Sequence, residues 1–372
     1  MRKFKISVAL FLLGLSVFAQ KTIVVSNLLN FDRKAEIVEV SLSALKIPEA
    51  SNSWILKDAQ GKEVGYQLIP TENKIIFQAN VKAKSSAAYS LTKGTPAAVQ
   101  AKTYGRFIPE RKDDFAWEND FAAYRMYGPA LANENPSNGV DYWAKCTDEL
   151  VVNQRYKDDI NNGISYHIDH GKGLDFYKVA HTLGCGGIAP YADDSLWIGN
   201  QFDSYKVLES GPLRTIFQLT YNSFKVGSES YKETITITAT AGSLLNKAEV
   251  IYSGKERKIK LASGIFLHDQ KGGNLQLKKE NGTVAYAEEA VSDFKVPAGR
   301  DYVGVFVPAK GNDGLKKGDH ALILSNYKVG DTFIYYFGAG WSKWKYPTDA
   351  DWFKAIDEFT LKTSNPLKVT IK

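Results

Sequence analysis

The chain has 372 residues, of which 44% are hydrophobic and 24% charged. That balance is ordinary for a folded globular protein and excludes a disordered or fibrous chain. The formal net charge is +6, and three of the positive charges (Arg2, Lys3, Lys5) fall in the first twenty residues, so the remainder carries +6 − 3 = +3. With no basic run, this does not argue for a nucleic-acid partner, although a locally basic cleft for an acidic ligand stays compatible with it.

Residues 1–20, MRKFKISVALFLLGLSVFAQ, begin with the three basic residues and continue as an apolar stretch too short to span a bilayer. They end on small residues ahead of Gln20, the pattern of a secretory signal peptide, with Val17 larger than the usual alanine. No lipobox cysteine follows, and no later stretch is long and apolar enough to span a membrane. The expectation is an exported protein, periplasmic or extracellular. The two cysteines, Cys146 and Cys185, allow one internal disulfide in such a compartment, or stay two small buried thiols.

Residues 21–95 hold six short β-branched or aromatic runs, such as TIVVSN, AEIVEVSL and KIIFQANV, separated by turn residues. This rhythm predicts a small N-terminal β-sandwich. It contains no cluster of His, Asp or Glu fit for chemistry. Residues 96–103 read as a linker, and residues 104–372 as a larger domain richer in aromatics and charges. Residues 115–131, FAWENDFAAYRMYGPAL, do not settle into one period. Arg125 there either pairs with Glu118 or Asp120 or is aimed at a ligand. Residues 150–156 fit strand or helix, and 157–163 are polar and turn-rich.

Residues 166–187, YHIDHGKGLDFYKVAHTLGCGG, carry His167, His170 and His181, three of the five histidines, with Asp169, Asp175, Lys172, Lys178, Tyr166, Tyr177 and five glycines. A packed core has little use for that mixture, and histidine is the side chain suited to moving protons near neutral pH. From Tyr205 onward the pattern is β throughout. Alternation is clearest in the segment from Glu233 to Thr238, ETITIT, and predicts a large antiparallel sandwich rather than alternating βα units. Thr348 then caps a predicted helix over residues 349–361, with Trp352, Phe353, Ile356 and Phe359 at helical spacing. Residues 367–371 read as a last strand.

His167 and His170 have HxxH spacing, but no helical HExxH accompanies them, so no metal site is assigned and a bound metal stays open. No cofactor is implied. There is no GxSxG elbow and no phosphate-binding glycine loop. A carboxylate pair such as Glu118 and Asp169 leaves glycoside hydrolysis open. The best chemical fit is proton abstraction beside a carboxylate. A cation neutralises a uronate, and an imidazole or phenol takes the C5 proton and releases the C4 substituent.

The segments WENDFAAYRMYGPAL, YHIDHGKGLDFYKVAHTLGCGGIAPY and LESGPLRTIF resemble a family of exported bacterial β-sandwich proteins, long known only as a domain of unknown function. Members have been linked to oligosaccharide dehydratase activity in ulvan breakdown. The resemblance runs from about Tyr104 to the C-terminus. It departs at Phe121, where members often carry a charge after WEND. The resemblance implies a galactose-mutarotase-like large sandwich. It also implies dehydration of a non-reducing-end glucuronate or iduronate to a 4,5-unsaturated uronate. A lyase cutting a uronosyl bond and a non-catalytic carbohydrate-binding protein remain the alternatives. The matching positions are Arg125, Tyr166, His167, His170 and Lys178. Arg125 is expected to pair with the uronate carboxylate, and His167 or His170 to act as base or carboxylate partner. Tyr166 or Tyr177 is expected to be the acid. Trp117, Lys178, His268 and Trp341 are expected to contact an acidic oligosaccharide. His181 is expected to be structural, and His320 exposed near a turn.

Overall fold

The computed structural model describes residues 21–47, 53–134, 137–255 and 257–372, so the expected signal peptide lies outside the described residues. In the small sandwich, strands Trp54–Asp58, Ser86–Lys93 and Thr22–Ser26 form one sheet, and Arg33–Ser41, Lys74–Val81 and Tyr66–Ile69 the other. Alternation turns Ile23, Val25, Val38, Val40, Phe77, Ala79 and Val81 inward. The fourth strand of the first sheet comes from the far end of the chain. Lys368–Ile371 pairs antiparallel with Thr22–Ser26, Val369 opposite Val25. The last strand is therefore where the sequence predicts it, but it completes the small sandwich, not the large one.

The large sandwich is built from three antiparallel sheets. One has nine strands, running from Phe202–Ser210 through Glu229–Thr240, Phe333–Trp341 and Thr283–Val291 to Asn274–Lys278. A five-stranded sheet is centred on Lys258–Phe266 and His320–Lys328. A four-stranded sheet holds Tyr104–Ile108, Asp114–Glu118, Ala123–Met126 and Asp141–Trp143. Their inward faces share one core, which includes Trp117, Tyr124, Phe217, Ile235, Ile237, Leu261, Ile323 and Phe337. Each such side chain stabilises the fold by about 1.5–3 kcal/mol. The all-β architecture, a small N-terminal sandwich and a large sandwich with a C-terminal helix, is the one expected.

Among the described residues, two α-helices flank the sheets. The C-terminal one, α2 (Asp349–Ser364), begins with a full capping box in which Thr348 and Asp351 satisfy each other's backbone N–H. It packs Trp352, Phe353 and Ile356 on Tyr302 and Phe306 of the nine-stranded sheet. The earlier helix, α1 (Val152–Asn162), replaces the polar turn expected over residues 157–163. Its start carries no side-chain cap of its own. Instead the carboxylate of Glu118 accepts from the N–H groups of Val151 and Val152 at 2.8–2.9 Å. A distant anion thus supplies the capping and the favourable charge that local residues lack.

Candidate active site

The four-stranded sheet places Asp141 directly opposite Arg125. The Arg125 guanidinium bonds Asp141 Oδ2 through Nε at 2.8 Å and Asp175 Oδ2 through an η nitrogen at 3.1 Å, with Asp114 Oδ2 at 3.8 Å. The rings of Tyr127 and Trp143 lie 5.1 and 5.2 Å from it. Burial works against the charge of Arg125, but Asp141, Tyr127 and Asp175 outweigh it and hold its pKa well above the usual value. Burial pushes Asp114 and Asp175 up to about 6 and Asp141 to about 7, with Arg125 pulling each back. Arg125 does not pair with Glu118 or Asp120. Glu118 holds Lys145 Nζ at 2.8 Å, and Asp120 accepts from Gly242 N–H. Arg125 is 3% exposed, so its guanidinium is enclosed by protein carboxylates and offers no face to a substrate carboxylate.

The loop after α1 folds over this charge cluster. Asp175 N–H donates to the Tyr166 carbonyl at 2.9 Å, and Ala144 N–H to the Leu174 carbonyl at 2.9 Å. Gly173 permits the close approach. Its φ is +97°, and a Cβ there would stand 2.2 Å from the Ala144 carbonyl oxygen. Tyr166 is buried, stacked on Trp143 at 4.8 Å. Its hydroxyl accepts from Arg111 Nε at 3.3 Å.

His167 stands at the surface of that cluster. Its Nδ1 lies 3.0 Å from the Asp175 carbonyl oxygen and 3.4 Å from Asp293 Oδ2. Both are acceptors, so Nδ1 carries the proton and Nε2 keeps its lone pair. The side chain is 29% exposed. Asp293 also pairs with Lys178 Nζ, whose side chain is 57% exposed. Next to Lys178, His268 Nδ1 meets Glu288 Oε1 at 2.5 Å and Nε2 meets the Lys178 carbonyl at 2.6 Å. Two acceptors on two ring nitrogens define an imidazolium. Burial lowers its pKa, but the bond to Glu288 and its charge, the Lys178 carbonyl and the charge of Asp301 together outweigh that, for a net rise. His268 therefore has both ring nitrogens engaged and none free.

Tyr177 is buried against His268 and Tyr142, and its hydroxyl has no partner and no solvent contact. Burial drives its pKa far up, against a role as proton donor to a surface ligand. His170 is exposed and uses Nε2 to donate to the Ser165 carbonyl at 3.1 Å. Trp117 is fully buried with its indole N–H on Asn246, and Trp341 is 2% exposed with its N–H on the Ala298 carbonyl. Neither indole has a face open for stacking on a sugar. His181 is exposed. His320 is half-buried rather than exposed. Its Nε2 accepts from Leu183 N–H, and burial lowers its pKa to about 4. Cys146 and Cys185 are both free thiols. Among the described residues, no three His, Cys, Asp or Glu side chains converge as a metal cage.

The structure thus gathers Arg125, Tyr166, His167, Tyr177, Lys178 and His268 into one neighbourhood, but only His167 and Lys178 among them present free polar atoms. Sequence reasoning missed Asp293 and Glu288. Glu288 shares the inward phase of Val284 and Tyr286, a signal that could have flagged it. Asp293 lies in a turn between strands and carries no such signal.

A family model, Domain of unknown function (DUF4861), matches residues 25–369. A protein of Formosa agariphila described as "Uncharacterized protein P7" is 30% identical, over 95% of this chain and 93% of its own. Among solved structures, an alpha-mannosidase from Enterococcus faecalis V583 has a similar fold, with a TM-score of 0.51 and 10% identity. That match covers 95% of this chain and 46% of the mannosidase, so the chain spans less than half of that protein's length.

Proposed function

We propose, from the premise that this chain belongs to the family Domain of unknown function (DUF4861), that it is an exported carbohydrate-processing enzyme. Its reaction is carbon–oxygen lysis: removal of water from a non-reducing-end uronate, glucuronate or iduronate, of an ulvan-type acidic oligosaccharide.

The observation that carries this reading is His167, with Nδ1–H held by the Asp175 carbonyl, Nε2 free, and Lys178 beside it through shared Asp293. The C5 proton of a uronate becomes acidic once its carboxylate charge is offset, and Lys178 with the His268 imidazolium supplies that offset. His167 Nε2 takes the C5 proton, the C4–O bond breaks, and the C4–C5 double bond forms. The imidazolium so generated returns its proton to the departing hydroxyl, which leaves as water, and His167 regains its starting tautomer. The buried Arg125 cluster positions Asp175, and through it His167, without touching substrate. If a sugar instead of hydrogen is attached to the C4 oxygen, the same steps make the enzyme a lyase.

The test is incubation with oligosaccharides ending in a saturated uronate, read by ultraviolet absorbance of the unsaturated product and by mass spectrometry. Loss of one water without chain shortening is expected, and His167→Gln should lower turnover by roughly 10²–10⁴-fold while keeping the fold. Shortening with new absorbance would make the enzyme a lyase; shortening without it, a hydrolase. Binding without any product would leave a carbohydrate-binding protein.

A further inference from the structure

A cavity of about 220 Å³ opens between α1 and the loop that carries His170. Arg155, Gln154, Tyr166, Ile168, His170 and Lys172 line it. It is smaller than the roughly 300–1,000 Å³ of pockets for drug-sized ligands, and suits one small group or sugar ring.

Arg155 gives the cavity its character. One η nitrogen donates to the Ala144 and Lys172 carbonyls at 2.9 and 3.0 Å. The guanidinium lies 5.7 Å from the Trp143 ring centroid. The other η nitrogen is buried and, among the described residues, has no hydrogen-bond partner. Among the described residues, no ion pair is made by this guanidinium, in contrast to the carboxylates around Arg125. A buried donor left without an acceptor is costly, more so when charged, so an arriving anion has that cost to recover. Burial lowers the pKa of Arg155 to about 10, which leaves it charged at neutral pH.

Glu118, Asp175 and Asp169 lie within electrostatic reach and offset part of its charge, but none of them bonds it. Asp158, on the cavity wall, already accepts from the Gln154 and Asn162 amides at 2.8 and 2.9 Å. Asp169 Oδ1 accepts from the N–H groups of Gly171 and Gly173. Lys172 is paired with Glu149 at 2.6 Å, both more than half exposed. Such a pair is weak and easily exchanged. His170 donates through Nε2, which leaves Nδ1 for a ligand hydroxyl. Ile164 and Ile168, each 43% exposed, add an apolar wall for the C–H face of a sugar.

We infer that this cavity is a subsite for an oxyanion carried by the oligosaccharide, a carboxylate or a sulfate ester, held by the unpartnered nitrogen of Arg155 with help from Lys172. The identity of the ligand as part of an acidic oligosaccharide rests on the function proposed above. The binding itself does not.

The test is isothermal titration calorimetry of the full chain at constant ionic strength, with inorganic sulfate, D-glucuronate and neutral glucose as probes. Saturable binding of at least one oxyanion is expected, with none of glucose. Sulfate alone would point to sulfate esters, and glucuronate alone to uronates. Arg155→Gln should weaken binding by roughly 10–150-fold, since a hydrogen bond to a charged group is worth roughly 1.5–3 kcal/mol. Lys172→Gln should weaken it less. Circular dichroism checks folding. If Arg155→Gln does not fold, Arg155→Lys and Lys172→Gln carry the decision. The inference fails if no oxyanion saturates, or if the folded Arg155 and Lys172 variants bind like the wild type. A chain that binds oxyanions here and yields no dehydrated product overturns only the proposed reaction. A chain that dehydrates but does not bind through Arg155 overturns only this subsite.

Discussion

Arg125 and Arg155 both lay a guanidinium against the ring of Trp143, 5.2 and 5.7 Å from its centroid, yet their surroundings are opposite. Arg125 sits among Asp114, Asp141 and Asp175, more negative charge than it can neutralise. Arg155 has carbonyl oxygens and no carboxylate in ion-pair contact among the described residues. Residue type alone does not make a cation a ligand contact. A guanidinium whose donors are already matched stabilises the protein, whereas one with a buried spare donor is prepared for an anion from outside.

The largest expected effect on that contrast comes from Arg125→Met. It leaves Asp141 and Asp175 buried without their cation, with Asp114 keeping only Arg111, and should cost about 3–5 kcal/mol in urea denaturation at neutral pH. Arg155→Gln relieves an uncompensated charge while losing two bonds, and should cost clearly less. Equal stability losses in the two variants would erase the distinction. Next in size is Gly173→Ala, which forces a Cβ toward the Ala144 carbonyl at positive φ. It should cost about 1–3 kcal/mol, and faster amide exchange is expected over the loop that carries His167 and His170. Unchanged exchange there would mean that the loop is not anchored at this point.

A third buried charge sharpens the comparison from the other side. Glu233 is 1% exposed and accepts from the Asn138 amide at 3.1 Å, with no ion pair among the described residues. Burial pushes its carboxyl up to about 8, against about 4.3 in an unfolded chain. The folded state therefore holds a proton that the unfolded state releases. The associated stability is complete below pH about 4.3 and is lost as pH rises towards 8, by at most about 1.4 kcal/mol per unit. Glu233→Gln should flatten that part of the melting-temperature profile between pH 5 and 8. Parallel profiles for variant and wild type would show that Glu233 is ionised in the fold.

Much of the fold was legible because its signals are local. The alternating burial of Glu229–Thr240 follows directly from ETITIT, and the same phase that turned Ile235 and Ile237 inward carried Glu233 with them. Helix α2 announces itself through Thr348 and Asp351, three residues apart. Helix α1 did not, because its cap is Glu118, 33 and 34 positions away. Within the candidate site, the gathering of Arg125 with the 166–178 loop was readable from residue types. The accessible atoms were not. Trp117, Trp341 and Arg125 look like ligand contacts in sequence and are buried in the structure, while Asp293 reaches His167 and Lys178 from a distant turn.

The amino-acid order by itself determined the strands, the C-terminal helix and the concentration of proton-handling side chains over residues 166–178, since period, turn chemistry and capping act between near neighbours. Only the tertiary structure decided which cations are free. It set Asp141 opposite Arg125 and brought Asp175 to the same guanidinium, and it left Arg155 with an unmatched donor. It also closed the small sandwich with the chain's last strand. Electrostatic and burial terms depend on distance in space, and separation along the chain does not encode that distance.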